Sequence, residues 1–235
     1  MSSQRNQTIE RHYFEQFRSH YELPAGEIVF TDRPDVIVRG AKSIGIEIAN
    51  LYLASGADPA SEQAQRPRRL QILERAQELH RSSGGRRIEL SVGFSPEHPI
   101  CELDPIARAL AAIATMIEND PSGPVIPARF GHVPELHYVY HNQNEYADAK
   151  WRHVPGYSVP LLSFERLRAQ ILDKTGKLRN YQLCDAYWLL LVVDFMDSAQ
   201  DQDLQWPPGE VFTTTPFERI LLYKSQFGEV LQVPQ

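Results

Sequence analysis

The stretch PDVIVRGAKSIGIEIANLY, Pro34 to Tyr52, contains two carboxylates whose spacing suggests chemistry. Two β-branched runs flank Gly40-Ala41-Lys42, which predicts a β-hairpin. With those three residues in the loop, Val38 opposes Ile44, Val36 opposes Ile46, and Asp35 opposes Glu47. Opposed residues share a face of a sheet. Val36, Val38, Ile44, Ile46 and Ile48 therefore form an apolar face, and Asp35, Ile37, Gly45, Glu47 and Ala49 form the other. Opposed like charges destabilise a sheet, and on that ground alone Glu47→Gln is expected to stabilise the metal-free chain by a few tenths of a kcal/mol or so. A divalent cation between the carboxylates removes the repulsion. Mg²⁺ prefers oxygen ligands and commonly uses one or two carboxylates together with substrate phosphates. An ion held that way polarises a phosphodiester and lowers the pKa of its water. The plainer alternative is that both acids are solvated at a sheet edge.

The elements that must position this pair are legible as apolar periodicities. Residues 4–20 read as a helix with Ile9, Tyr13 and Phe17 on one face, and Glu27 to Phe30 as a short strand. Gln65 to Arg81 reads as a helix with Leu70, Leu73, Ala76 and Leu79 at a spacing of three, ended by Ser82-Ser83-Gly84-Gly85. Ile88 to Phe94 and Leu136 to His141 read as strands. Asp104 to Asn119 reads as a helix capped by Asp104 with Pro105 at its first position. Asp120 to Pro134, rich in Pro and Gly, reads as a long loop. Ser163 to Arg179 reads as a helix. The unbroken apolar run Tyr187 to Val193 predicts a strand buried on both faces. Glu218 to Tyr223 and Glu229 to Val233 read as a closing hairpin. Interleaved helices and strands with hairpins at both ends predict an α/β fold: a central mixed sheet flanked by helices, with a C-terminal β-hairpin.

The whole-chain numbers fit this picture. The 235 residues are 42% hydrophobic and 23% charged, as expected for one globular domain spanning residues 1–235, with two small domains as the alternative. A formal net charge of −6 argues against coating nucleic acid through bulk charge but leaves room for a local basic groove. Cys101 and Cys184 are far apart in apolar settings, so neither a disulfide framework nor a cysteine zinc site is expected. The polar start MSSQRNQTIERHYFEQF is unlike a signal peptide, and a cytoplasmic location is the expectation.

The Pro34-Asp35 dipeptide, the hairpin turn and IGIEIANLY at 44–52 resemble the PD-(D/E)XK nuclease-like superfamily, whose fold is restriction-endonuclease-like. The order of helix, hairpin, helix and strand follows that pattern from about residue 4 to residue 94. The stretches ILDKTGKLRNY at 171–181, YWLLLVVD at 187–194 and FERILLYKSQFGEVLQV at 217–233 resemble one bacterial branch of it. The resemblance implies a nuclease that hydrolyses DNA or RNA with Mg²⁺ or Mn²⁺. It makes Asp35 and Glu47 metal-binding acids and allows a helical glutamate, Glu15 or equally Glu10, to join them. The family's lysine, two residues after the glutamate, is replaced by Ala49. Either activity is lost, leaving a protein that binds nucleic acid or a partner, or another cation substitutes. Lys174 and Lys177, at i and i+3, are the candidates; a solvated helix end, where cations suit the dipole, is the competing explanation.

Arg66, Arg68, Arg69 and Arg75, with Arg81, Arg86 and Arg87, concentrate positive charge suited to phosphate, or they form a solvated face paired with Glu62, Glu74 and Glu78. His137, Val139 and His141 share a strand face in regular alternation, with His132 nearby, but the histidines are spread too far for one zinc. Tyr138, Tyr140, Tyr146, Trp151 and Tyr157 are candidates to stack on bases or to pack.

Overall fold

The computed structural model describes residues 2–156, 159–206, 208–212 and 215–235, and for residues 2–6 the backbone alone. The chain is α/β and divides into two compact units, residues 1–53 with 159–235 and residues 54–158, where the composition had suggested one. Tyr157 lies outside the described residues.

The first unit is built on a six-stranded mixed sheet. Its strands are β1 (Gly26–Phe30), β2 (Val36–Gly40), β3 (Ser43–Asn50), β8 (Ala186–Val193), β9 (Arg219–Lys224) and β10 (Glu229–Gln232), in the order β1-β2-β3-β8-β9-β10. β3, β8 and β9 run parallel, and antiparallel hairpins extend the sheet on both sides. The opening hairpin has the expected register, with Val36 opposite Ile46 and Val38 opposite Ile44. Alternation then divides the residues between two cores. Val36, Val38, Ile44, Ile46 and Ile48 pack with Trp188, Leu190 and Tyr223 under Phe14 and Phe17 of helix α1 (Ser2–His20). Leu189, Leu191, Ile220 and Leu222 face the other way, under Leu167 and Ile171 of helix α4 (Phe164–Lys177). β8 lies between two parallel neighbours and is covered on both sides, which explains its lack of polar alternation. Phe14 and Phe17 are fully buried, and each such ring contributes about 1.5–3 kcal/mol. Ser163 caps α4, its side chain accepting from Arg166 N–H at 3.3 Å.

The second unit has a four-stranded sheet in the order β5-β6-β4-β7: β4 (Glu89–Phe94), β5 (Gly123–Pro124), β6 (Leu136–Asn142) and β7 (Arg152–His153). Helices α2 (Glu62–Ser82) and α3 (Leu103–Ile117) share its core with Leu90, Val92, Phe94 and Val139. Three local expectations change here. The core stripe of α2 is Ile72, Leu73 and Ala76, continued by buried Gln65, Arg69 and His80, while Leu70 is exposed. α3 begins at Leu103, one residue before Asp104, so the residue preceding it is Glu102 and Asp104 sits in its first turn. That turn's N–H groups lack helical partners anyway, so Pro105 is tolerated there. In β6, an irregularity beside Gly93 and Phe94 breaks the alternation, so His141 is buried and His137 exposed. Among the described residues no helix is long and apolar enough to cross a membrane.

Candidate active site

Where the carboxylate end of the opening hairpin meets α1 and α4, the first unit gathers its unusual charges. β3 is an interior strand, and Glu47 is 8% exposed, so the solvated-edge explanation does not describe it. Glu47 Oε1 accepts from Lys174 Nζ at 2.7 Å, with the two side chains 10% and 14% exposed. Asp35 Oδ2 accepts from the Ile48 backbone N–H at 2.7 Å. Burial and then the neighbouring charge of Glu47 push the Asp35 carboxyl up to about 8, against a weaker opposing pull from the Ile48 N–H. Glu10, on α1, is raised by burial first and by Glu47 second, while Lys174 lowers it. The Tyr181 hydroxyl is buried without a hydrogen bond of ordinary geometry. Burial raises its pKa, and Glu47 and Asp35 add to the shift.

Two cavities open onto this cluster. One of about 520 Å³ is lined by Glu10, Arg11, Phe30, Asp35 and Ile48, among others. The other, of about 380 Å³, includes Glu10, Ile48, Ala49, Tyr52, Lys174 and Lys177 in its wall. Glu10 and Ile48 line both. Gly45, on the same face as the two acids, leaves no open space: a Cβ there would lie 2.8 Å from Pro34 Cγ and 2.9 Å from Tyr187 Cδ1.

The two candidate lysines separate cleanly. Lys174 continues the buried stripe of Leu167 and Ile171 and reaches Glu47. Lys177 is half-exposed and pairs with Asp173 on its own helix at 2.6 Å. Of the two glutamates, Glu15 forms an exposed ion pair with Arg18 at 2.6 Å; Glu10 lines the cavities. Among the described residues no three His, Cys, Asp or Glu side chains converge as a metal-binding group. Tyr181 was not singled out in the sequence, although it ends the stretch ILDKTGKLRNY.

The arginines belong to the second unit and are largely committed within it. Arg69 is buried and bidentate to Glu62 at 2.8 and 2.7 Å. Arg68 donates to the carbonyls of Ile100 and Cys101. Arg75 meets Glu78 at 3.4 Å on the exposed side of α2. Arg66 is exposed, and its charge is felt by His153. Trp151 is buried, donating to Ile88 O, whereas Tyr138, Tyr140 and Tyr146 are partly exposed.

Comparison with family models, with curated proteins and with solved structures yields no match in any of the three.

Proposed function

We propose that the first unit is a metal-dependent phosphodiesterase acting on nucleic acid, related to the PD-(D/E)XK nucleases. The observation that carries this reading is the contact of Lys174 with Glu47. It returns an ammonium to the acidic pair that lacks a lysine at Ala49. The donor chemistry fits a hard divalent ion. Both candidate ligands are carboxylates, and with Oδ2 held by Ile48, Asp35 Oδ1 has no hydrogen bond among the described residues. Mg²⁺ commonly takes only one or two protein carboxylates. Asp35 and Glu47 would hold Mg²⁺ or Mn²⁺, which supplies Lewis-acid polarisation of the phosphodiester and a more acidic water.

The chain's own residues then have separable parts. The Ile48 N–H fixes the Asp35 carboxylate. Lys174 orients Glu47 and would supply a positive charge toward a bound phosphodiester. Tyr181 sets a buried hydroxyl near Glu47. The test is hydrolysis of single-stranded and duplex DNA and RNA by purified protein across a Mg²⁺ and Mn²⁺ titration. Cleavage that needs the metal and is lost in Glu47→Gln supports the reading; full-rate cleavage in Glu47→Gln refutes it. A second reading, a non-catalytic descendant that binds nucleic acid or a protein partner, is favoured by one observation. Lys174 already neutralises Glu47, so the pair is compensated without an ion. Metal-independent binding without cleavage would support it.

A further inference from the structure

At the carboxyl ends of β8 and β9 the first unit exposes apolar side chains on a rigid mount. Phe195, Met196 and Phe227 are 39%, 73% and 61% exposed. The two rings meet edge to face, with centroids 5.3 Å apart. Asp194 and Gln226 hold them in place. Phe195 N–H donates to Gln226 Oε1 at 3.0 Å, Gln226 Nε2 donates to Asp194 Oδ1 at 2.6 Å, and Met196 N–H donates to the same oxygen at 2.8 Å. Lys224 Nζ lies 5.8 and 5.4 Å from the Phe195 and Phe227 ring centroids. Lys224 is itself buried, so it meets the rings from the protein side and leaves their outer surface open.

The patch is joined to the first unit's helix α1 through Asp194. Tyr13, three residues beyond Glu10 on α1, donates its hydroxyl to Asp194 Oδ2 at 3.1 Å. Tyr13 also lies close enough to Tyr52, in the wall of the smaller cavity, to interact electrostatically with it. Tyr13 thus links Tyr52, in the wall of the smaller cavity, to Asp194, the residue preceding Phe195.

We propose that Phe195 and Phe227, with Met196, form a stacking platform for an unpaired base, so that the site takes single-stranded or frayed nucleic acid. The proposal rests on the phosphodiesterase reading and specifies its substrate. Two arguments favour a base over a protein partner. At these exposures the three side chains offer on the order of 300 Å², far short of the roughly 800 Å² per partner of a stable protein interface. Aromatic platforms accept any base because every base has a π-face, and that face is free only when the base is unstacked.

The experiment compares two substrates with Mn²⁺: a labelled single-stranded oligonucleotide, and bis(4-nitrophenyl) phosphate, a diester without a base. Phe227→Ala and Phe195→Ala/Phe227→Ala should raise KM for the oligonucleotide about tenfold or more and leave hydrolysis of the small diester unchanged. Phe227→Trp, which removes no packing, should lower the oligonucleotide KM. An oligonucleotide KM unmoved in folded Phe227→Ala and in Phe227→Trp overturns the platform, whatever the rate on the small diester. If the wild type cleaves neither substrate, the hydrolytic reading fails. The platform is then decided by fluorescence anisotropy of the labelled strand: loss in Phe227→Ala sustains it, and unchanged or absent wild-type binding overturns it.

Discussion

Asp35→Asn isolates the charge conflict at the centre of the site. The Asp35 carboxyl is raised from its ordinary value of 3.8 to about 8, first by burial and then by Glu47. Between about pH 4 and pH 8 the folded chain therefore holds a proton that the unfolded chain has released. Stability must fall as pH rises through that window. Each pH unit across it is worth about 1.4 kcal/mol, so an ionised Asp35 costs the folded chain on the order of 5 kcal/mol. Asn keeps an oxygen for the Ile48 N–H and cannot ionise. The variant should match wild type near pH 4 and exceed it by several kcal/mol at pH 9. The assay is urea denaturation at pH 4, 7 and 9 with chelator present, repeated with Mn²⁺. At pH 9 the metal should restore stability to wild type, by about 2.7 kcal/mol at a hundredfold excess over Kd, and do little for the variant. Parallel curves of stability against pH for the two proteins would refute the reasoning, because they would mean that Asp35 titrates like an exposed carboxyl.

The buried pair makes a second prediction: Lys174→Met should cost about 3 kcal/mol by urea denaturation because it leaves Glu47 buried and unpaired, whereas Lys177→Ala, at an exposed pair, should cost within about 0.5 kcal/mol. Glu47→Gln should also destabilise, reversing the direction expected from hairpin repulsion alone, and its double-mutant cycle with Lys174→Met should show coupling above about 1 kcal/mol; additivity would deny the contact. For activity, Lys174→Met should abolish metal-dependent cleavage and Lys174→Met/Ala49→Lys should recover part of it, since Ala49 lines the same cavity as Lys174; a double variant as dead as the single would show that the ammonium does not matter there. In the second unit, Arg69→Ala should cost about 3 kcal/mol in stability, and a loss of nucleic-acid binding without a loss of stability would return Arg69 to the phosphate-binding role.

Much of the first unit was legible because it depends on local rules. Loop length and alternation fixed the register of β2 and β3, and an unbroken apolar run identified β8 as interior. What was not legible depended on tertiary placement. Lys174 and Lys177 look alike along the chain, and only the position of α4 over the sheet selects between them. A helical wheel held the signal, since Lys174 falls seven residues after Leu167 and three after Ile171, the buried positions of that helix. Likewise Glu10 shares its helix face with Tyr13 and Phe17, while Glu15 points away from it into an ion pair with Arg18. The arginine cluster misled for a different reason. Composition reports charge, not partners, and Arg69 and Arg68 are committed to Glu62 and to two carbonyls brought near only by folding. The division into two units falls at residues 53 and 159, beside the Gly- and Pro-containing stretches with Gly56 and Pro59 and with Pro155, Gly156 and Pro160, which read equally well as ordinary loops.

The surroundings of the hairpin's like charges decide what those charges cost. An exposed edge would let water screen the repulsion for a fraction of a kcal/mol. Here β3 is interior, Glu47 is buried, and Asp35 and Glu10 both feel its charge. Three carboxyl groups face one ammonium, Lys174, so the folded chain must keep a proton on Asp35 or carry uncompensated buried charge. Net stabilities of domains are only about 5–15 kcal/mol, and a term on the order of 5 kcal/mol is a large share of that. The neighbouring sheet bears it because both its faces are packed, by Phe14 and Phe17 on one side and Leu167 and Ile171 on the other. Packing at those four positions gains nothing from the acids, and an amide at Asp35 would keep the bond to Ile48 without the charge. The residue at 35 is nonetheless a carboxylate, in a cavity wall, with one oxygen free of hydrogen bonds among the described residues. A cation bound there, as proposed above, would lower that cost.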